Sequence, residues 1–448
     1  MALGKANSLT HLFPRFQQTS EWKTLTQGQK KFFERFFMGG NVFITGSAGV
    51  GKSFCVKVLY DFLAVNGVTM CKTSSTGVSA FNIGGQTLHS WAGIGLGEEE
   101  VGVLIAKINK NRKATARLES VKVLLIDEIS MIKGELLDKL DIILKYFRRS
   151  SMPFGGVKLL LSGDLLQLPP VWKSDAVKTY VFESRAWREA RIEVCALTEI
   201  VRQDNNSDFA KLLNELRFGD ITNIALLKSR VGAPIPKDLK PVMIYCKNVD
   251  VDRINNAKLA EIKEESFFFR ARDMGGPHYT EIFNKNCPAA ELIELKKGAQ
   301  VMLLSNLDVE AGFVNGSIGV VECFTTEGVE VKFKHGSIVV SNVEWQIKEQ
   351  QKGLDGDLKY RTVATRNQIP LRIAYALTVH KTQGHTLDCI YVDVNEAFAT
   401  GQVYTVLSRV RNLESLFLEE FCSSKITVDK TALNFYQSLK MGTKQGIL

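Results

Sequence analysis

The run GSAGVGKS, Gly46 to Ser53, sets glycines, a lysine and a hydroxyl at the spacing G-x-x-x-x-G-K-[ST]. Glycine lets backbone N–H groups close around a phosphate, so Gly46, Ser47, Ala48, Gly49, Val50 and Gly51 are the expected cradle. Lys52 is expected to meet the β- and γ-phosphates of a nucleotide, and Ser53 to hold Mg²⁺. Further on, VLLIDEIS ends an apolar run in two acids. A carboxylate at a strand end can reach a metal, and its neighbour can activate water, which assigns Asp127 and Glu128 to those roles. The bland alternative is an acidic pair capping the next helix. LLLSGDLLQLPPV adds Asp164 and Gln167, the glutamine as a γ-phosphate sensor, and TEIVRQ adds Arg202 and Gln203, the arginine as a phosphate clamp. Alone these two runs are weak, because Gly-Asp is common in turns and a turn arginine is usually solvated.

The elements around these runs fit that chemistry. Asn41–Thr45 reads as a strand, and Ser53–Val65 as a helix with Phe54, Val58, Leu59, Phe62 and Leu63 on one face, ended by Gly67. Val121–Ile126, Val157–Leu161 and Ile192–Leu197 read as buried strands. Strands alternating with helices imply an α/β fold with a parallel sheet. Between His89 and Ser120 the pattern changes. AGIGLGEEE is a glycine-rich turn, then Val101, Leu104, Ile105 and Ile108 recur at helical spacing, decorated by Lys107, Lys110, Arg112, Lys113 and Arg117. A solvated face and contact with a polyanion explain those charges equally well.

A second α/β pattern begins with PVMIYC and a helix over Val249–Leu259. It is interrupted by short strands at Val301–Leu304, Ile318–Phe324, Val329–Phe333 and Ile338–Val340, an all-β insert of barrel size. It resumes with strands at Leu371–Leu377 and Cys389–Val394. The expected organisation is an extension over 1–23, a first domain over 24–215 with an insert at 85–118, and a second over 216–448 with a β-insert at 262–366. The extension is short, and no long tail follows the last motif.

With 448 residues, 45% hydrophobic and 23% charged, the chain has the composition of folded globular protein. A net charge of +9 favours polyanionic partners but is weak alone. The eight cysteines are scattered without a CxxC pair, which argues against a zinc or iron–sulfur site and for reduced intracellular thiols. No apolar stretch approaches the ~20 residues that span a bilayer, and no secretory segment is visible, so no membrane association is expected. The N-terminus is a poor mitochondrial presequence. The expected location is intracellular: cytoplasm or nucleoid in a bacterium or virus, nucleus or mitochondrion in a eukaryote.

One run remains, ALTVHKTQGHT from Ala376 to Thr386. Its threonines and lysine suit phosphate contacts, and its glycine allows close backbone approach. A polar turn capping a helix is the simpler explanation of the residues by themselves.

The segment from Ile126 to Val171, with the phosphate loop before it, resembles the PIF (petite integration frequency) DNA helicases of superfamily one, roughly over Thr24 to Leu418. The related RecD and Dda-type helicases lack the signature run IDEISMIKGELLDKLDIILKYFRRSSMPFGGVKLLLSGDLLQLPPV. The resemblance implies two RecA-like parallel-sheet motor domains, with a wedge-bearing insert in the first and a β-barrel insert in the second. LTQGQKKFFE is similar to the adenine-reading motif, which puts Gln29 on the base. KTSSTGVSAFNIGGQTLHSWAG resembles the segment that grips single-stranded DNA and implies contacts from Thr76, Gly77 and His89, with Trp91 stacking a base. TVHKTQG resembles the motif touching both ligands, with Thr378, His380 and Lys381 on DNA phosphates and Gln383 and Gly384 on the nucleotide. VYTVLSRVRNLESL resembles the last motif, whose Arg409 reaches ATP across the cleft. Gly93–Gly97 falls where the family has its strand-separating wedge.

By that resemblance the chain is an ATP- and Mg²⁺-dependent helicase moving 5′-to-3′ on single-stranded DNA. It would unwind tailed duplex DNA, with four-stranded guanine DNA or RNA–DNA hybrids as further substrates, in replication, repair, recombination or telomere maintenance. It would act as a monomer, or as a dimer formed on DNA. Two rivals stand beside it: an ATPase switch that binds a protein partner, and an RNA helicase of the same superfamily.

Overall fold

A computed structural model describes residues 9–172, 177–199, 208–236, 240–247, 251–308, 310–352, 358–382 and 384–442. The chain divides into two compact units, Met1–Asn205 with Glu349–Arg361 and Asn434–Leu448, and Asn206–Lys348 with Thr362–Leu433.

In the first unit β1 (Val42–Gly46), β2 (Met70–Ser74), β3 (Gln86–Thr87), β4 (Val123–Asp127), β5 (Lys158–Ser162) and β6 (Glu193–Leu197) form one sheet in the order β3-β2-β4-β5-β1-β6. Every pairing is parallel. β1 and β5 are buried along their whole length, which is why they read as unbroken apolar runs. β2 escapes such a reading because it ends in polar residues. Its Thr73 is fully buried and donates to the Leu125 carbonyl at 2.6 Å.

The helix Gln27–Phe37 starts at Thr26, whose hydroxyl accepts from Gln29 N while Gln29 Oε1 accepts from Thr26 N, a reciprocal cap. Its Phe32, Phe33, Phe36 and Phe37 are fully buried in a cluster with Phe13 and Phe16. The helix Lys52–Val65 buries Cys55, Val56, Val58, Leu59 and Leu63. The expected face therefore needs one correction: Phe54 is exposed, at the margin of the first turn, and Cys55 takes its place in the i, i+3, i+4 stripe.

The insert holds two helices, Val101–Asn109 and Arg112–Ser120, the second capped by Asn111. Leu104 and Ile108 face inward. Several of the basic residues have local partners: Lys107 pairs with Glu99, Lys113 with Glu349, and Arg117 donates to the carbonyls of Trp91 and Ser90.

The signature run folds as a lock behind the sheet. On the helix Gly134–Phe147, the fully buried Asp141 accepts from Phe154 N at 2.7 Å and pairs with Lys145 at 2.7 Å. This holds a turn in which Phe154, Gly155 and Gly156 all take positive φ. Arg148 donates to the carbonyls of Gly155, Glu119 and Val121. The turn leads into β5 and residues 119–121 lead into β4, so this helix and Arg148 at its end fix the entry to both strands.

In the second unit β7 (Val242–Tyr245) opens an α/β sheet. The insert follows as β8 (Ser266–Arg270), β9 (Arg272–Met274), β10 (Leu292–Lys296), β11 (Gln300–Leu303), β12 (Ile318–Phe324), β13 (Val329–Phe333), β14 (Gly336–Val340), β15 (Val343–Lys352), β16 (Leu358–Gln368) and β17 (Leu371–Ile373), the end of β15 and the start of β16 belonging to the first unit. The chain returns as β18 (Ala376–Thr378), β19 (Ile390–Val392) and β20 (Leu416–Leu418). The motor sheet is parallel, in the order β18-β7-β19-β20, and the main insert sheet runs β14-β13-β12-β11-β17.

Leu371–Leu377 is thus two strands rather than one. β17 pairs antiparallel with β11 in the insert, and β18 pairs parallel with β7 in the motor sheet. The backbone groups at the break are met by buried amides: Asn255 accepts from Tyr375 N and Ala376 N, and Gln300 donates to the Ala374 carbonyl.

Candidate active site

Ligands of open parallel sheets bind at the carboxyl ends of the strands. In the first unit those ends carry the expected residues side by side. β1 runs into the phosphate loop, β4 ends in Asp127, and β5, which lies between them, ends in Ser162 and continues to Asp164. Gly46, Gly49 and Gly51 take φ of 144°, 87° and 86°. A Cβ on Gly46 would also run into the Leu197 carbonyl. Lys52 folds back over the loop, with Nζ 2.8 Å from the Gly46 carbonyl and 2.9 Å from that of Ser47. Val50 is buried, and Ser53 is exposed in the first helical turn.

Burial raises the Asp127 carboxyl above its ordinary range. The Ser162 hydroxyl, the Glu128 N–H and the Lys52 charge pull it back. Glu128 sits in the left-handed region at φ 50°, uncommon for a residue with a side chain. Opposite it Gly163 is required, since a Cβ there would lie 3.0 Å from Ile129 N. Asp164 and Gln167 are buried, and Asp164 accepts from Leu166 N. Gln29 is buried with its carbonyl oxygen on the helix cap, leaving its NH₂ to donate. Arg202 and Gln203 lie outside the described residues.

The expected DNA segment begins at the end of β2, beside β4. Ser74 donates to the Asp127 carbonyl at 3.3 Å, which adds a side-chain bond to the β2–β4 pairing at its carboxyl end. Thr76 caps the helix Gly77–Asn82 by accepting from Ser79 N. His89 is half-buried, and burial lowers its pKa. Trp91 corrects its expected role. It is 1% exposed, so it presents no ring face to a base, and its indole N–H has no partner among the described residues. The Gly93–Gly97 turn is clamped by Lys139, which donates to the carbonyls of Gly97, Glu98 and Glu99.

In the second unit Thr378 ends β18 and is buried. Lys381 Nζ lies 3.6 Å from Asp252 Oδ1. Gly384 is exposed at φ 80°. Gln383 and the His380 side chain lie outside the described residues. Arg409 is buried and donates from Nε to the Thr405 carbonyl, from Nη1 to those of Thr382 and His385, and from Nη2 to Ser408. Burial, with Arg409 and Arg372 nearby, lowers His385 to about 4. Among the described residues, no three His, Cys, Asp or Glu side chains could hold a metal by themselves. No described helix is long and apolar enough to cross a membrane.

The family model of the PIF1-like helicase matches residues 24–225, and that of the DNA helicase Pif1 2B domain matches 278–324. The crystal structure of Pif1 helicase from Candida albicans is 34% identical, with a TM-score of 0.71 over 93% of this chain and 99% of that one. The chain belongs to the PIF1-like helicase family. The human ATP-dependent DNA helicase PIF1 is 35% identical over 93% of this chain. This PIF1-like chain spans 64% of the human protein's length. A Bacteroides Pif1 helicase in complex with ADP-AlF3 and ssDNA is 28% identical, with a TM-score of 0.62 over 94% of this chain and 98% of that one. The two parallel sheets are the two RecA-like domains of the family.

Sequence reasoning missed Ser162, which bonds Asp127, and His385, which Arg409 clasps. A serine one residue before Gly-Asp carries no signal in one sequence. His385 lay within the quoted run, but its burial is set by residues in another segment.

Proposed function

We propose that this PIF1-like chain is an ATP-dependent DNA helicase that moves 5′-to-3′ on single-stranded DNA and unwinds tailed duplex ahead of it. The observation that carries this is the phosphate loop and Asp127–Glu128 at the ends of β1 and β4, with only β5 between them, and the DNA-gripping segment joined to Asp127 through Ser74.

In this reading the N–H groups of residues 46–51 and Lys52 hold the phosphates. The Lys52 ammonium gives up the Gly46 and Ser47 carbonyls for phosphate oxygens. The Ser53 hydroxyl and the Asp127 carboxylate are hard oxygen donors of the kind magnesium takes; they would hold that ion, which would supply positive charge against the phosphates. Glu128 orients and deprotonates the attacking water, Gln167 senses the γ-phosphate, and Gln29 donates to adenine. Arg202 and Arg409 are assigned to the γ-phosphate, with Gln383 and Gly384 on the nucleotide. Thr76, Gly77, His89, Thr378, His380 and Lys381 are assigned to the DNA strand. The domain boundaries at 24–215 and 216–448, with inserts at 85–118 and 262–366, belong to this reading, as does action as a monomer or as a dimer on DNA.

Unwinding of duplexes with a 5′ or a 3′ single-stranded tail tests it. Activity on the 5′-tailed duplex alone is expected, and activity only on 3′ tails refutes the polarity. ATP turnover stimulated by RNA in preference to DNA would favour the RNA-helicase rival.

A further inference from the structure

We propose that Tyr436 is a positioning residue for ATP turnover, its hydroxyl bracing the root of the phosphate loop against the turn that carries Asp164 and Gln167. The proposal rests on the assignment of Gly46–Ser53 to ATP.

β1 and β5 are neighbours, paired from Val42 with Leu160 to Ile44 with Ser162. One further bond, Gly163 N to the Ile44 carbonyl at 3.3 Å, closes the ladder. Beyond it β1 enters the phosphate loop and β5 enters the turn to Gln167. Tyr436 spans the gap where the ladder ends. Its hydroxyl lies 2.5 Å from Thr45 Oγ1 and accepts from Leu165 N at 3.3 Å. Thr45 is fully buried and immediately precedes Gly46, while Leu165 is buried and immediately follows Asp164. One phenol therefore replaces a rung of the sheet.

The ring is held firmly. Tyr436 is 5% exposed. Its neighbour Phe435 stacks on Phe182 at 4.5 Å between centroids and meets Trp187 edge-on at 6.0 Å. Both aromatics belong to the helix Lys430–Gly442, distant in sequence from Thr45, Leu165, Phe182 and Trp187. None of the nucleotide-binding runs includes them.

The chemistry needs such a brace. The phosphate loop grips the nucleotide, and Gln167 must sit correctly relative to that grip. Displacing a positioned group by about 1 Å can cost on the order of a hundredfold in rate. Nucleotide binding is assigned to the loop's own N–H groups and to Lys52, whereas the Tyr436 hydroxyl bonds at Thr45 and Leu165, outside that grip.

The test is steady-state ATP turnover with saturating single-stranded DNA in the full chain, alongside thermal melting. Tyr436→Phe keeps the ring and removes the hydroxyl. The expected result is a fall in kcat of roughly tenfold, with KM for ATP within about twofold, at a temperature where the variant is folded. Thr45→Val removes the other hydroxyl and should lower kcat similarly. The double variant should be no slower than Tyr436→Phe, because Tyr436→Phe already removes the bond that Thr45→Val removes. The proposal is overturned by a kcat of Tyr436→Phe within twofold of the parent, even with a lowered melting point, or by losses that multiply in the double variant. Should Tyr436→Phe not fold, an unchanged kcat in Thr45→Val overturns it equally. Failure of the underlying ATP assignment looks different: a parent chain without turnover, or Lys52→Ala with full turnover.

Discussion

Nη1 of Arg409 lies 3.4 Å from the carbonyl oxygen of His385. The same nitrogen lies 3.5 Å from the Thr382 carbonyl, and Leu387 N donates back to the Arg409 carbonyl at 2.8 Å. The motif assigned to both ligands and the motif carrying the last arginine are thus one bonded assembly. A planar guanidinium with five donors can serve these carbonyls together, and an ammonium cannot. Arg409→Lys should therefore melt roughly 2–8 °C lower, from about 1–3 kcal/mol of unmet buried carbonyls, and should also lose DNA-stimulated ATP turnover. Calorimetry and an ATPase assay read the two effects. Lost turnover with an unchanged melting point would mean that the clasp adds nothing to stability.

His385 gives that assembly a pH dependence. Burial first, then Arg409 and Arg372, hold its pKa at about 4 against an ordinary 6.5. The unfolded chain binds more protons between those values, so the stability it contributes is complete above about pH 6.5 and is lost as pH falls toward 4. The melting temperature of the parent should drop more between pH 7 and pH 5 than that of His385→Gln. Parallel slopes for the two proteins would exclude a contribution from this imidazole.

Lys52→Ala should abolish ATP turnover while the chain stays folded, because the ammonium bonds the carbonyls of Gly46 and Ser47 in the loop rather than packing in the core. Glu128→Gln should keep nucleotide binding and slow hydrolysis by at least a hundredfold, the upper reach of general-base catalysis being about ten-thousandfold. Binding of a fluorescent nucleotide and single-turnover hydrolysis separate the two. Parental hydrolysis in Glu128→Gln would remove the water-activating role.

Lys381 and Asp252 form an exposed pair at 3.6 Å. Such pairs contribute little to stability, so the ammonium is free to exchange Asp252 for a DNA phosphate. Lys381→Ala should weaken single-stranded DNA binding by about tenfold to a hundredfold and make the salt slope shallower by about 0.7. Asp252→Asn should tighten binding by removing the competing carboxylate. Fluorescence anisotropy on oligothymidine across salt measures both. Identical affinities for Lys381→Ala and the parent would leave the lysine only its partner on the neighbouring helix.

The placement of Gly46–Ser53 and Asp127–Glu128 at strand ends was legible because the function assigned to them needs residues adjacent in the chain, at a spacing that few other roles require. The parallel strands were legible because burial on both faces leaves continuous apolar runs. Trp91 was misread because an aromatic among polar neighbours does not reveal which side of a short helix it occupies. Leu371–Leu377 was read as one strand because its break leaves no trace in hydropathy. The amides that satisfy the break, Asn255 and Gln300, come from distant segments. Nothing in the sequence singles out Asp141 and Arg148, and only the left-handed turn at 154–156 shows what they hold.

Residues 434–442 complete the first unit, yet the ribosome makes them after all of residues 206–433. At about 5–20 residues per second, that delay is on the order of ten to fifty seconds. Throughout it the nascent first unit has Phe182 without the Phe435 stack and Leu165 N without its phenol acceptor. A ribosome stalled anywhere in residues 206–433 thus holds a first unit whose sheet lacks one rung and whose Phe182 lacks its stacking partner. Order of synthesis and order of completion run opposite ways in this chain, and its earliest sheet is finished by its latest helix.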